Sequence, residues 1–138
     1  TKGTGAVYNV QGQRKFELYL MGLPKQLTNW RASWQARSRE AQKWKVSVVS
    51  AFAKVLPDSP ICKAIVYCER HSSVCPDYDG LVTSFKHVLD GFELAGILKD
   101  DSMAVITKRE YKWHKAKRGK GFVRVSVVEL ADETWECG

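Results

Sequence analysis

Between Asp77 and Ser102 the chain reads DYDGLVTSFKHVLDGFELAGILKDDS, and the order of these side chains leaves few folds open. At about 100° per residue, Leu81, Phe85, Val88, Leu89 and Phe92 form one narrow stripe, as on a helix over Gly80–Ala95 that Gly96 would terminate. Asp79, Lys86 and Asp90 fall within about 40° of one another on the opposite side. A helix of this kind has to lay its stripe on a second layer and leave its charged edge in water.

The flanking segments supply that layer. Lys15 to Gly22 alternates Phe16, Leu18 and Leu20 at period two, as a strand does, and Leu23-Pro24 breaks it. Asn29 is placed to cap a long helix running to about Val55, with Trp30, Trp34, Ala41, Trp44, Val48 and Val55 at helical spacing and Pro57 and Pro60 beyond its end. Trp34 and Trp44 are expected as core anchors. Ile61–Arg70, Ala104–Trp113 and Phe122–Leu130 read as further strands, and the Gly/Lys-rich connection Lys115–Gly121 predicts that the last two form a hairpin. The order strand, helix, strand, helix, strand, strand predicts an α+β domain: a small mixed sheet of about four strands with two helices packed on it. One domain over residues 1–138 is expected, with 1–14 as a flexible N-terminal arm.

The acids are concentrated in a chain that is otherwise basic, with 22 Lys+Arg against 15 Asp+Glu and a net charge of +7. Asp77 and Asp79 alternate through Tyr78, so extended backbone points both carboxylates to one side. Carboxylates that close repel, and a divalent cation removes the conflict. Oxygen-only ligands favour Mg²⁺ or Mn²⁺ over zinc. Asp100-Asp101 is the candidate third carboxylate, and Lys86 is placed to offset charge on a reacting phosphate. The same residues also fit a plainer reading. DYDG and Asp100-Asp101-Ser102 are good turn chemistry, and Lys86 and Asp90 make an i,i+4 surface pair.

The excess cations form two runs. Arg31, Arg37, Arg39, Lys43 and Lys45 lie on or beside the first helix, and Lys108, Arg109, Lys112, Lys115, Lys117, Arg118 and Lys120 follow the third strand into its turn. Runs like these neutralise phosphates, and Trp30, Tyr111 and Trp113 among them could stack on unpaired bases. A solvated, aggregation-resistant sheet edge is the bland alternative for the second run. No apolar run approaches the ~20 residues needed to span a bilayer, and TKGTGAVYNVQGQRK carries no signal-peptide core, so a cytoplasmic protein is expected. Cys62, Cys68, Cys75 and Cys137 are expected to be reduced. Cys68, His71 and Cys75 match no standard zinc spacing, and His87 and His114 stand isolated in the sequence.

The acidic segment resembles the RusA family of Holliday-junction resolvases, especially its phage-borne branch. That family carries an Asp-x-Asp followed by Asn, an amphipathic helix with a Lys, then Asp-Gly or Asp-Ala, Ala-Gly and a closing Asp-Asp. Asp77-Tyr78-Asp79, Lys86, Leu89-Asp90-Gly91, Ala95-Gly96 and Asp100-Asp101-Ser102 match it in order. Gly22-Leu23-Pro24, Asn29 and Trp34 are similar to the family's entry, and the likeness runs from Phe16 to Val128. Two positions depart, with Gly80 for the family's Asn and Ser33 for its entry His. The resemblance implies a homodimeric, Mg²⁺-dependent endonuclease of DNA recombination and repair that cuts four-way junctions symmetrically in a bacterial or phage-infected cell. No membrane partner and no small-molecule substrate are expected. The resemblance also implies that Asp77, Asp79 and Asp101 are the essential metal ligands, Asp100 an accessory one, and Lys86 a catalytic or phosphate-contacting lysine. DNA would be held by Arg31, Arg37, Arg39, Lys43, Lys112, Lys115, Lys117, Arg118 and Lys120. The rival expectation is a DNA-binding accessory protein that keeps the fold without turnover.

Overall fold

The computed structural model describes residues 3–10, 12–28 and 30–130. Five strands make one mixed sheet: β1 (Gly3–Val10), β2 (Gln13–Met21), β3 (Ala64–Ser72), β4 (Ile106–Lys115) and β5 (Phe122–Glu129). Their spatial order is β1-β2-β5-β3-β4, with β3 and β4 parallel and every other pair antiparallel. Helix α1 (Trp34–Ala51) and the successive helices α2 (Tyr78–Ser84) and α3 (Lys86–Leu94) accompany the sheet. The α+β class and the mixed sheet agree with expectation. The fifth strand comes from the segment expected as a flexible arm.

Packing explains the glycines of this segment. A Cβ on Gly5 would lie 2.8 Å from the Ala51 carbonyl and from the Phe52 ring, and one on Gly3 would lie 2.4 Å from the Leu20 side chain. The glycines therefore let the end of α1 approach the hairpin that β1 makes with β2.

The expected β4–β5 hairpin is not formed. β5 is inserted between β2 and β3, while β4 pairs only with β3 at the sheet edge. Composition accounts for the exchange. Val123, Val125 and Val127 of β5 are fully buried, as a central strand needs. Lys108, Arg109, Lys112 and Lys115 are exposed, and charge suits an edge. Parallel β3 and β4 need a crossover, which α2 and α3 provide.

The core lies between one face of the sheet and α1 and α3. Phe16, Leu18, Leu20, Ala64, Val66 and Cys68 point into it from the strands. Trp44, Val48 and Phe52 meet them from α1 and its C-cap, and Val88, Leu89 and Phe92 from α3. The whole stripe from Leu81 to Phe92 is buried as expected. Of the two tryptophans expected as anchors, Trp44 is 1% exposed, but Trp34 is 74% exposed and is corrected to a surface residue. It is the first residue of α1 and precedes the stretch that crosses α3. The cap is Ser33, whose Oγ accepts from the Ala36 N–H at 3.1 Å, and the helix ends at Ala51, four residues before Val55. Asn29 lies outside the described residues. Cys68 and Cys75 are free thiols, whereas Cys62 is disulfide-bonded, which corrects the expectation of reduced thiols at that position.

Gly91, next to Asp90, marks the crossing of α3 over α1. A Cβ there would lie 2.7 Å from the Val48 Cβ and 3.2 Å from the Lys45 Cα. Gly91→Val is expected to force the helices apart and cost about 1–3 kcal/mol, read as a lower urea midpoint at unchanged slope.

Candidate functional site

The acidic segment begins where β3 ends. Asp77 is in extended backbone and caps α2, its Oδ1 accepting from the Gly80 N–H at 2.7 Å. A Cβ on Gly80 would lie 2.1 Å from the Gln26 Oε1 and 2.6 Å from the Asp77 Oδ1. The Gln26 carboxamide thus occupies the space an Asn at position 80 would need, which accounts for the glycine. Asp79 sits in the first turn of α2, exposed, with no hydrogen bond or ion pair among the described residues. Val82 and Thr83, three and four residues on, share its helix face.

The expected single helix is broken at Phe85, which closes α2 and opens α3. Lys86 therefore starts a helix. Its Nζ donates to Asp90 Oδ1 at 3.0 Å and to Asp101 Oδ2 at 3.3 Å. Asp90 chiefly, with help from Asp101, holds the Lys86 ammonium above its ordinary pKa, so it is a fixed cation at neutral pH. The Asp101 carbonyl accepts from the Arg109 guanidinium of β4. Asp100 is engaged by Ser102: its Oδ1 accepts from the Ser102 N–H at 2.8 Å, and hydrogen bonding by the Ser102 side chain, then by that N–H, lowers its pKa. Lys86, Asp101, Arg109, Tyr111, Thr83 and Leu27 line a cleft of about 180 Å³.

Lys86, Asp90 and Asp101 are thus brought together, and Asp79 lies on the helix face that borders the same cleft. The carboxylates of Asp77, Asp79 and Asp101 are not drawn into one ligand cluster. Among the described residues, the group of three placed to share a metal is Glu69, His71 and His114. Mg²⁺ is commonly held by one or two carboxylates with water completing its shell, so it would not need all three aspartates in one cluster. Among the described residues Asp79 is unengaged, while Asp77 and Asp101 each commit one carboxylate oxygen, to Gly80 and Lys86 respectively. With oxygen donors alone the set suits Mg²⁺ or Mn²⁺ and not zinc.

The basic residues fall in two places. Because β3 and β4 run parallel, the turn after β4 lies at the end of the sheet where β3 leads toward Asp77. Ala116 donates to the Ser72 carbonyl at 3.0 Å, and Gly121 accepts from the Gly22 N–H at 3.0 Å. Lys115, Lys117, Arg118 and Lys120 are exposed on this turn, and Lys112 is exposed on β4. Arg37, near the start of α1, shares a pocket with Leu27, Trp30 and His87, and Leu27 also lines the acidic cleft. Arg31, Arg39 and Lys43 are exposed, with Arg39 and Lys43 bordering a separate α1 surface. Trp113 is a structural residue, donating its indole N–H to Ser72 Oγ at 2.9 Å.

Sequence spacing misses three features. Arg109 joins the cleft through strand pairing, and Gln26 reaches Gly80 from a distant loop. His114 faces His71 only because β3 and β4 are parallel. No short spacing signals any of these contacts. Cys68 and His71 point to opposite faces of β3, so the Cys68/His71/Cys75 grouping does not form. No helix among the described residues is long and apolar enough to cross a membrane. No model of a known protein family matches the chain, nor does any curated protein.

Proposed function

We propose that this chain is a Mg²⁺-dependent, structure-selective endodeoxyribonuclease that resolves four-way DNA junctions. It would act as a homodimer of the RusA type in the cytoplasm of a bacterial or phage-infected cell. The observation that carries this reading is the juxtaposition at one cleft of a fixed Lys86 cation, the Asp101 carboxylate and the helix face bearing the unengaged Asp79. Asp79, Asp77 and Asp101 would hold the cation, with Asp100 as an accessory. Bound Mg²⁺ (or Mn²⁺) would supply Lewis acidity and a water of lowered pKa. Lys86 would shift its charge from Asp101 toward the scissile phosphate, where negative charge grows in the transition state. Lys112, Lys115, Lys117, Arg118 and Lys120 from one side, and Arg31, Arg37, Arg39 and Lys43 from the other, would neutralise the arms of the junction. A two-fold dimer would set one site on each of two opposed strands.

One observation favours a second reading, a non-catalytic DNA-binding protein of recombination. Lys86 bridges Asp90 and Asp101 and offsets one of their two charges, so a metal is not required to hold those acids side by side. A labelled four-way junction incubated with the protein in Mg²⁺ and in EDTA separates the two. Incision in Mg²⁺ alone supports the nuclease, whereas tight binding without incision in either Mg²⁺ or Mn²⁺ supports the binder.

A further inference from the structure

The face of the sheet turned away from the helices carries a second cluster, apart from the acidic cleft. His71 on β3 and His114 on β4 stand opposite each other in the parallel register, and Glu69 lies two residues before His71 on the same face. We propose that Glu69, His71 and His114 form a binding site for Zn²⁺ that ties edge strand β4 to β3. This goes beyond the nuclease reading and does not depend on it.

Geometry and donor chemistry carry the proposal. One oxygen, nitrogen or sulfur atom from each residue lies within 4.8 Å of the others. Glu69 Oε1 is 3.1 Å from His114 Nε2 and 3.7 Å from His71 Nε2. Donors about 2.0–2.1 Å from a tetrahedral zinc stand roughly 3.3 Å apart, so two of the separations are already near that value, and turning the exposed His114 ring off its stack on His71 closes the set. Two imidazoles and a carboxylate form a borderline donor set that prefers zinc to Mg²⁺.

The surroundings hold Glu69 and His71 in place, as zinc sites require, and leave the exposed His114 free to turn. The His71 ring is stacked between Phe122, at 4.1 Å, and His114, at 4.7 Å between centroids. The second oxygen of Glu69 accepts from Arg124 Nη1 at 2.5 Å, and the same guanidinium is held by Glu17, again at 2.5 Å. Lys15, 3.9 Å from Glu17, shares that carboxylate with Arg124, so the four charges balance and the donor atoms rather than net charge favour a metal. Three protein ligands leave a fourth position for water. A cavity of about 330 Å³, lined by Glu69, His114, Tyr67 and Lys112, adjoins the cluster and gives that position room.

The test is titration of the full, untagged chain with Zn²⁺ by calorimetry, repeated with Co²⁺ to read the visible bands of a four-coordinate ion. One Zn²⁺ per chain is expected, bound in the presence of excess Mg²⁺, with a higher thermal midpoint. Loss of an outer partner of a metal ligand typically costs roughly 10–100-fold in affinity. His114→Ala, at an exposed position outside the acidic cleft, should therefore weaken zinc by more than that and leave the apo protein folded by circular dichroism. His71→Ala should do the same, which keeps the proposal testable if one variant is unstable. No stoichiometric uptake, or uptake unchanged in both variants, would overturn the proposal. Junction incision in Mg²⁺ is read separately, so failure here and failure of the nuclease reading are distinguishable.

Discussion

Phe92→Ala is expected to remove about 3–5 kcal/mol of stability, the largest single loss from any core position on α3. Phe92 is fully buried, and its ring lies 5.5 Å from that of Phe52, which in turn meets Phe16 of β2 edge-on at 5.8 Å. These three rings connect α3, the end of α1 and the sheet in one line. Truncation leaves a cavity beside the Phe52 ring, and the Gly91–Val48 approach already brings α3 and α1 close. Collapse around the cavity is therefore limited, which favours the upper part of the range. With total stabilities of about 5–15 kcal/mol, the variant would sit near the edge of folding. Urea denaturation followed by tryptophan fluorescence checks it. A loss below about 1 kcal/mol would mean the rings do not share one core.

Asp79→Asn is expected to cut the single-turnover rate of junction cleavage by at least about 10²–10³, the scale for losing one electrostatic contributor at a reacting centre. The substitution keeps the shape and removes the charge. Asp79 makes no hydrogen bond or ion pair among the described residues, and Asp77 still caps α2 through Gly80. Folding should be little affected, because no partner is lost and only the attraction of a first-turn carboxylate to the α2 N-terminus goes, about 0.3–1 kcal/mol. Affinity for the junction should hold or rise, since one repulsive carboxylate beside the phosphates is gone. Gel shifts in EDTA give the affinity, and denaturing gels in Mg²⁺ give the rate. A variant that cuts at the rate of the parent would remove Asp79 from the site.

Side-chain pattern made part of this molecule legible. The stripe from Leu81 to Phe92 appears as a buried helical face, and Phe16, Leu18 and Leu20 appear as one side of a strand, because period and burial are local properties. Strand neighbours are not local. The Gly/Lys-rich turn after Lys115 suits a hairpin as well as a crossing over the end of β3, and only burial of the valines in β5 decides between them. The segment with Gly3 and Gly5, expected as a flexible arm, is a strand against which the end of α1 packs. The Lys86–Asp90 pair follows from i,i+4 spacing. Asp101, eleven residues beyond Asp90, reaches Lys86 only because the chain after α3 turns back toward β4. His71 and His114 are invisible as a pair for the same reason that the hairpin was expected, since their meeting depends on parallel pairing.

The most direct measurement is cleavage of a four-way junction labelled in turn on each strand, in Mg²⁺, with nick positions mapped to the nucleotide. Paired nicks at symmetry-related positions on two opposed strands, absent in EDTA and in the Asp79→Asn protein, are the predicted result. Intact strands in both Mg²⁺ and Mn²⁺, or cleavage that persists in Asp79→Asn, would contradict the assignment of this cleft as a metal-dependent nuclease site.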